Sequence, residues 1–183
     1  MADLDTHVTL DALHAAMREQ LAEQFPGFRL VAFYREDESE KLPAPACLLE
    51  LTEIEPAPVD DAGTGQFPAL LRWEAHVVLG FADPAVQLEV RKAAAALATW
   101  LHLRRWKGIR ADACQVIGCY KDEFKPGLDR YAVWTVEWVQ WVFLGESAWD
   151  NDGVIPEHVY FSFAPDVGEA HRESYQPAVP DER

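Results

Sequence analysis

Leu128-Asp-Arg-Tyr-Ala-Val-Trp-Thr-Val-Glu-Trp-Val-Gln-Trp-Val-Phe-Leu-Gly145 is one long β-type run that holds three of the chain's seven tryptophans. Side chains alternate between the two faces of a strand. Trp134, Val136, Trp138 and Val142 therefore share one side, with Gln140 among them. Val133, Val139, Trp141 and Phe143 line the other, together with Thr135 and Glu137. Both sides are too apolar for a strand with one face in water. The sheet it belongs to needs covering twice, by its own helices and by a further layer or a neighbouring copy.

Working outward, the elements before this strand are legible in turn. Thr9 is placed as an N-cap, and Leu10, Leu13, Met17 and Leu21 follow at helical spacing until Phe25-Pro26-Gly27. Phe28 to Tyr34 alternates as a first strand, and Ala46 to Ile54, after Pro43 and Pro45, reads as a second. The segment from Glu55 to Pro68 is rich in Pro, Asp and Gly and reads as the loop of a long hairpin. Ala69 to Phe81 alternates cleanly: Leu71, Trp73, Ala75, Val77, Leu79 and Phe81 on one side, Arg72, Glu74 and His76 on the other. This third strand is expected to pair antiparallel with the second. Asp83-Pro84 opens a second helix, whose stripe runs Val86, Val90, Ala93, Ala94, Leu97 and Leu101. Arg104, Arg105 and Lys107 are expected at its carboxyl end, with Gly108 as its stop. A strand around Cys114 to Tyr120 and a turn at Lys125 to Asp129 complete the set.

The order α-β-β-β-α-β-β predicts an α+β fold: an antiparallel sheet of four to five strands with two helices packed on one face. Residues 1–145 are expected to form this domain. From Glu146 the character changes to four prolines, nine acidic residues and only Arg172 and Arg183 as bases. Yet Trp149, Tyr160, Phe161, Phe163 and Tyr175 persist, so residues 146–183 read as an extended, aromatic-bearing arm that docks on something.

Charge narrows the function classes. Thirty-one Asp and Glu oppose 16 Lys and Arg, a net charge of −15. That balance opposes a phosphate-gripping or anionic-membrane surface, because such affinity comes from Lys and Arg. Arg91-Lys92 and the Arg104, Arg105, Lys107, Arg110 group, interleaved with Trp100 and Trp106, are better explained by helix-end charge than by nucleic acid. The start, Met-Ala-Asp-Leu-Asp, lacks the basic and apolar regions of a signal peptide. No apolar run reaches a membrane span. Three cysteines, Cys47, Cys114 and Cys119, make no disulfide framework and point to a reducing cytoplasm. If Cys114 to Cys119 is extended, the odd separation sends the two thiols to opposite faces.

No catalytic constellation emerges. The six histidines, His7, His14, His76, His102, His158 and His171, form no zinc spacing, and no Cys-x-x-Cys occurs. Gly63-Thr-Gly65 is too short for a phosphate loop, and Asp60-Asp61 suits a solvated loop tip. Asp150-Asn-Asp-Gly153 lacks the later oxygens of a calcium loop. Glu137 is the one carboxylate placed for chemistry, and a cross-strand Arg or Lys partner explains it better. No catalytic, cofactor or metal residue is assigned, and the chain is expected not to be an enzyme.

The element order, with Leu42-Pro-Ala-Pro-Ala-Cys-Leu-Leu-Glu-Leu, Leu71-Arg-Trp-Glu-Ala-His-Val-Val-Leu-Gly-Phe, the helix from Asp83 and the closing Val136 to Phe143, resembles tail terminators. These are the minor tail proteins of the U type from long-tailed bacteriophages. Trp141-Val-Phe-Leu-Gly-Glu-Ser-Ala-Trp149, continuing through Phe163-Ala-Pro-Asp-Val-Gly168 to His171 and Tyr175, is similar to the C-terminal part of tail proteins from transposable phages. The resemblance implies a hexameric ring that caps the tail tube, ends its polymerisation and joins it to head-completion (stopper) proteins. The implied partners are sister copies and the major tail tube protein, with genome DNA passing an acidic lumen unbound. The implied place is the tail-neck junction of a virion, made in a host bacterial cytoplasm. It carries over no catalytic residue or cofactor. Trp141, Phe143, Trp149, Tyr160, Phe161, Phe163 and Tyr175 are the expected interface residues. The rivals are another head-tail connector or tail-completion adaptor, and a non-phage oligomeric binding module.

Overall fold

The computed structural model describes residues 8–34, 42–58, 63–81, 85–121, 131–148 and 158–178. It comprises two compact units, Met1–Asp150 and Asn151–Arg183.

The first unit begins with helix α1, Leu10–Gln24. The Thr9 hydroxyl accepts from the Ala12 N–H at 3.1 Å, so one of the helix's otherwise unpartnered amides is satisfied. Phe25 ends it, returning its N–H to the Leu21 carbonyl. Strands β1 (Leu30–Phe33), β2 (Ala46–Pro56) and β3 (Phe67–Gly80) precede helix α2 (Val86–Leu101). Strands β4 (Gln115–Lys121) and β5 (Tyr131–Leu144) follow. They form one sheet in the order β1-β2-β3-β5-β4. The α+β class, the five strands and the antiparallel β2–β3 pair agree with the sequence expectation.

Several details differ, each for a local reason. β1 pairs parallel with β2, so the sheet is mixed, not wholly antiparallel. The stretch between Phe33 and Ala46 is about the dozen residues that a parallel crossover requires. β2 and β3 run further than expected, to Pro56 and from Phe67, and shorten the hairpin loop that was placed at Glu55 to Pro68. Helix α2 stops at Leu101, so Arg104, Arg105 and Lys107 lie beyond its last turn. Leu103 takes the left-handed conformation (φ 60°) there, and Gly108 (φ 79°) serves the following turn instead. The proposed start at Asp83-Pro84 lies outside the described residues. Ala85 occupies the cap position, with no side-chain hydrogen bond.

Both helices pack on one face of the sheet. Leu13, Met17 and Leu21 from α1 join Val90, Ala94, Leu97 and Leu101 from α2 over Leu71, Trp73, Ala75, Val136, Trp138 and Val142. Each large side chain buried here contributes roughly 1.5–3 kcal/mol. Trp73 and Trp138 face each other in register on β3 and β5, with stacked rings 6.3 Å apart. Of the four consecutive alanines, Ala94 is buried, Ala93 half-buried, and Ala95 and Ala96 exposed. The small residues at 93 and 94 are the ones that let α2 approach the sheet.

The second unit is described from His158 to Ala178. Strands β6 (Tyr160–Phe161) and β7 (Gln176–Pro177) pair antiparallel, with a 3₁₀ turn at Glu169–Ser174 between them. The expected extended arm therefore carries some regular structure. None of its described residues is buried. Among the described residues, no helix is long and apolar enough to cross a membrane.

Candidate functional site

The sheet face opposite the helices carries charged side chains beside part-exposed apolar ones. At one end it is closed by its own chain: Leu42, Ala46, Leu48, Val78 and Val133 form a small separate core. The rest is half-open. The sequence expectation of a strand apolar on both faces is thus met at Val133 by the Leu42 segment. Further along it is left unmet at Val139 and Trp141, both part-exposed, and at Phe143, which is 38% exposed.

The middle of this face is built by register. Glu50 of β2 sits opposite Glu74 of β3, and Glu74 sits opposite Glu137 of β5. Three carboxylates thus lie side by side on adjacent strands, an arrangement that costs stability because like charges directly opposite repel. A shift in the β2–β3 register between Leu51 and Glu53 brings Glu53 opposite Arg72 and Glu55 opposite Leu70, on the same face.

Arg72 compensates part of the repulsion. Its Nη1 donates to Glu137 at 2.7 Å and its Nε donates to Glu53 at 2.8 Å. Those two bonds, Glu137 first, hold the guanidinium pKa above its usual value. On the other flank, buried His76 shares a 2.8 Å hydrogen bond with the Thr135 hydroxyl, and its Nε2 lies 3.4 Å from Glu74 and 3.6 Å from Glu50. The Tyr120 hydroxyl, on β4, donates to Glu137 at 3.2 Å and to Glu74 at 3.3 Å. Desolvation first, then the two neighbouring carboxylates, push the phenol pKa up, so Tyr120 stays a donor. Glu137 is therefore an ion-pair partner of a cross-strand arginine. The register, not visible in any single strand, is what turns separate glutamates into a row.

This arrangement supplies charge and hydrogen bonding. The one hydroxyl beside a histidine on this row, Thr135 against His76, is buried with it, each about 1% exposed. Among the described residues, no group of three or more His, Cys, Asp or Glu side chains has the geometry to hold a metal ion.

The expected interface residues divide between the units. Trp141 and Phe143 lie on the open face of β5, at the end away from the Leu42 core. Trp149 lies outside the described residues. Tyr160 and Phe161 form β6 and are exposed, Phe163 is 77% exposed, and Tyr175 is half-buried, its hydroxyl accepting from the Gly168 N–H at 2.9 Å. Within the second unit, Tyr160, Gly168, Glu169, Arg172 and Tyr175 line an open hollow.

Of the remaining sequence candidates, Asp60-Asp61 and Asp150-Asn-Asp-Gly153 lie outside the described residues. His14 packs against Phe33 and Trp73, and its Nε2 lies 2.8 Å from the Tyr34 hydroxyl. All three cysteines are free; Cys47 and Cys114 are buried and Cys119 is exposed. The parity expected for Cys114 and Cys119 fails, because a register shift between Val116 and Gly118 inserts a residue. Cys119 falls opposite Val136, on the helix side that also receives Cys114. Arg91 stacks over Trp134 and Arg104 over Trp100, while Trp106 is buried and bonded to Gln140.

No protein-family model matches the chain, and no curated protein matches it. Solved structures do match. One of them, which bears no functional name, aligns at 14% identity with a TM-score of 0.48, over 76% of this chain and 99% of its own length. A likeness of that degree says nothing about function.

Proposed function

We propose that this chain is a structural component of a long-tailed phage, a tail terminator that assembles as a ring on the end of the tail tube. The observation that carries it is the unfinished sheet. One face is sealed by α1 and α2, while the other keeps Trp141 and Phe143 part-exposed beside a charged row. A surface of that composition suits association with protein rather than turnover of a small molecule. Copies meeting through two different patches close into a ring when the rotation permits. The net charge of −15 suits a lumen through which DNA passes without sticking. The second unit supports the same reading. A stretch of 21 described residues that buries none of its aromatic side chains has no core of its own and gains stability from a partner.

The test is tube length. Tail-tube protein of the phage that carries this gene, polymerised with and without the chain, is imaged by electron microscopy. Capped tubes of limited length with density at one end are expected. Tubes of unchanged length with bare ends would refute the proposal.

A further inference from the structure

Two patches of opposite charge lie on different layers of the first unit. The open face carries Glu50, Glu53, Glu55, Glu74 and Glu137 around Arg72. The turn between α2 and β4 carries Arg104, Arg105, Lys107 and Arg110; Arg105 pairs with Asp112 at 2.6 Å and Arg104 lies over Trp100, so Lys107 and Arg110 are the cations it offers a partner.

That turn belongs to the helix layer and is held firmly. The Lys107 N–H donates to the Gln20 side chain of α1, which donates back to the Lys107 carbonyl, each at 3.2 Å. Trp106 is buried and bonded to Gln140, which points to the helix side of β5. The Lys107 and Arg110 side chains remain exposed. A basic patch anchored to α1 and β5 and an acidic, part-apolar face thus occupy opposite layers of the first unit.

We infer that the occupant of the open face is a second copy of this chain, seated through its Arg104 to Arg110 turn. The inference rests on the ring assembly proposed above and gives it a specific contact. Charge complementarity selects this pairing. A two-fold dimer through the open faces would set glutamate rows against each other, whereas a head-to-tail contact sets cations on carboxylates. Trp141 and Phe143 supply apolar area beside the charged contact, the combination usual in protein interfaces. Each copy would then offer one patch to the neighbour before it and the other to the neighbour after it.

The experiment uses two charge-reversed full chains, Lys107→Glu/Arg110→Glu and Glu53→Lys/Glu55→Lys, with Glu55→Lys alone as a milder variant. Circular dichroism and urea midpoints establish that each is folded. Sedimentation equilibrium at low and high ionic strength then measures self-association. Each reversed variant alone should associate roughly tenfold or more weakly than the parent chain. An equimolar mixture should recover assembly, because the acidic turn of one meets the basic face of the other. Added salt should weaken the parent assembly. Reversed variants that associate as well as the parent, or a mixture no better than its components, would overturn this contact. A parent chain monomeric at every ionic strength would also overturn it. Rings that persist on tube ends in any of those cases would leave the tail-terminator proposal standing, so the two failures are distinguishable.

Discussion

The Trp106 indole N–H donates to Oε1 of Gln140 at 2.9 Å, joining the turn after α2 to the centre of β5. Gln140 is fully buried, and its Nε2 donates onward to the Asp112 carbonyl at 2.6 Å. The one amide in the helix-side stripe of β5 is thus a clasp for the segment between α2 and β4. Replacing Gln140 with Leu leaves the Trp106 N–H and the Asp112 carbonyl unsatisfied. The expected loss is about 1–3 kcal/mol in urea denaturation. Trp106→Phe in the same background should cost less than in the parent, since the orphaned indole donor is removed with it.

Arg72 and Glu137 make the second testable pair. Arg72→Ala removes the cation between Glu53 and Glu137 while the register still holds Glu137 beside Glu74. A lower urea midpoint is expected, because hydrogen bonds to a charged group vanish and the carboxylates then face each other. Adding Glu137→Gln should recover part of that loss. A double-mutant cycle with no coupling would show that the ion pair is incidental.

Alkaline pH should destabilise the fold through its buried thiols. Burial pushes the Cys47 and Cys114 pKa values from 9.0 to about 12. Each folded thiol keeps its proton to higher pH than its unfolded counterpart. Stability is therefore intact below the unfolded pKa and falls as pH rises from 9 toward 12. Each thiol held protonated in the fold and ionised in the unfolded chain contributes about 1.4 kcal/mol per pH unit. Cys47→Ala should flatten the decline, whatever its effect at neutral pH. An unchanged slope would show that other groups govern alkaline unfolding.

Thiol labelling reports the same burial directly. Cys119 is exposed, whereas Cys47 and Cys114 are buried. A thiol reagent at neutral pH should modify one cysteine promptly and the other two only at the rate of unfolding. Three equally fast labels would contradict the packing of α1 and α2 on the sheet.

Period-two alternation was enough to divide Val136, Trp138 and Val142 from Val139, Trp141 and Phe143, and to place Arg72, Glu74 and His76 on one side of β3. Helical spacing likewise yielded the buried stripes of α1 and α2. What alternation does not carry is register. Whether Glu74 meets Glu137 depends on where two distant strands are joined, and a slip of one residue sends every side chain to the other face. The bulges near Thr52 and Ile117 have no sequence signal as strong as a glycine turn, so the parity of Cys114 and Cys119 does not follow from their spacing. The parallel seating of β1 was also invisible, since a four-residue strand looks the same in either direction. α2 ends earlier than its sequence suggests because Gly108 is the usual residue for a left-handed stop, and here Leu103 takes that conformation.

The most direct test of the central claim is native mass spectrometry of the purified chain, alone and with short tail tubes. A closed ring, six copies by the resemblance to tail terminators, is predicted in solution or on tube ends. A chain that stays a monomer under both conditions and leaves the tubes bare would contradict the account.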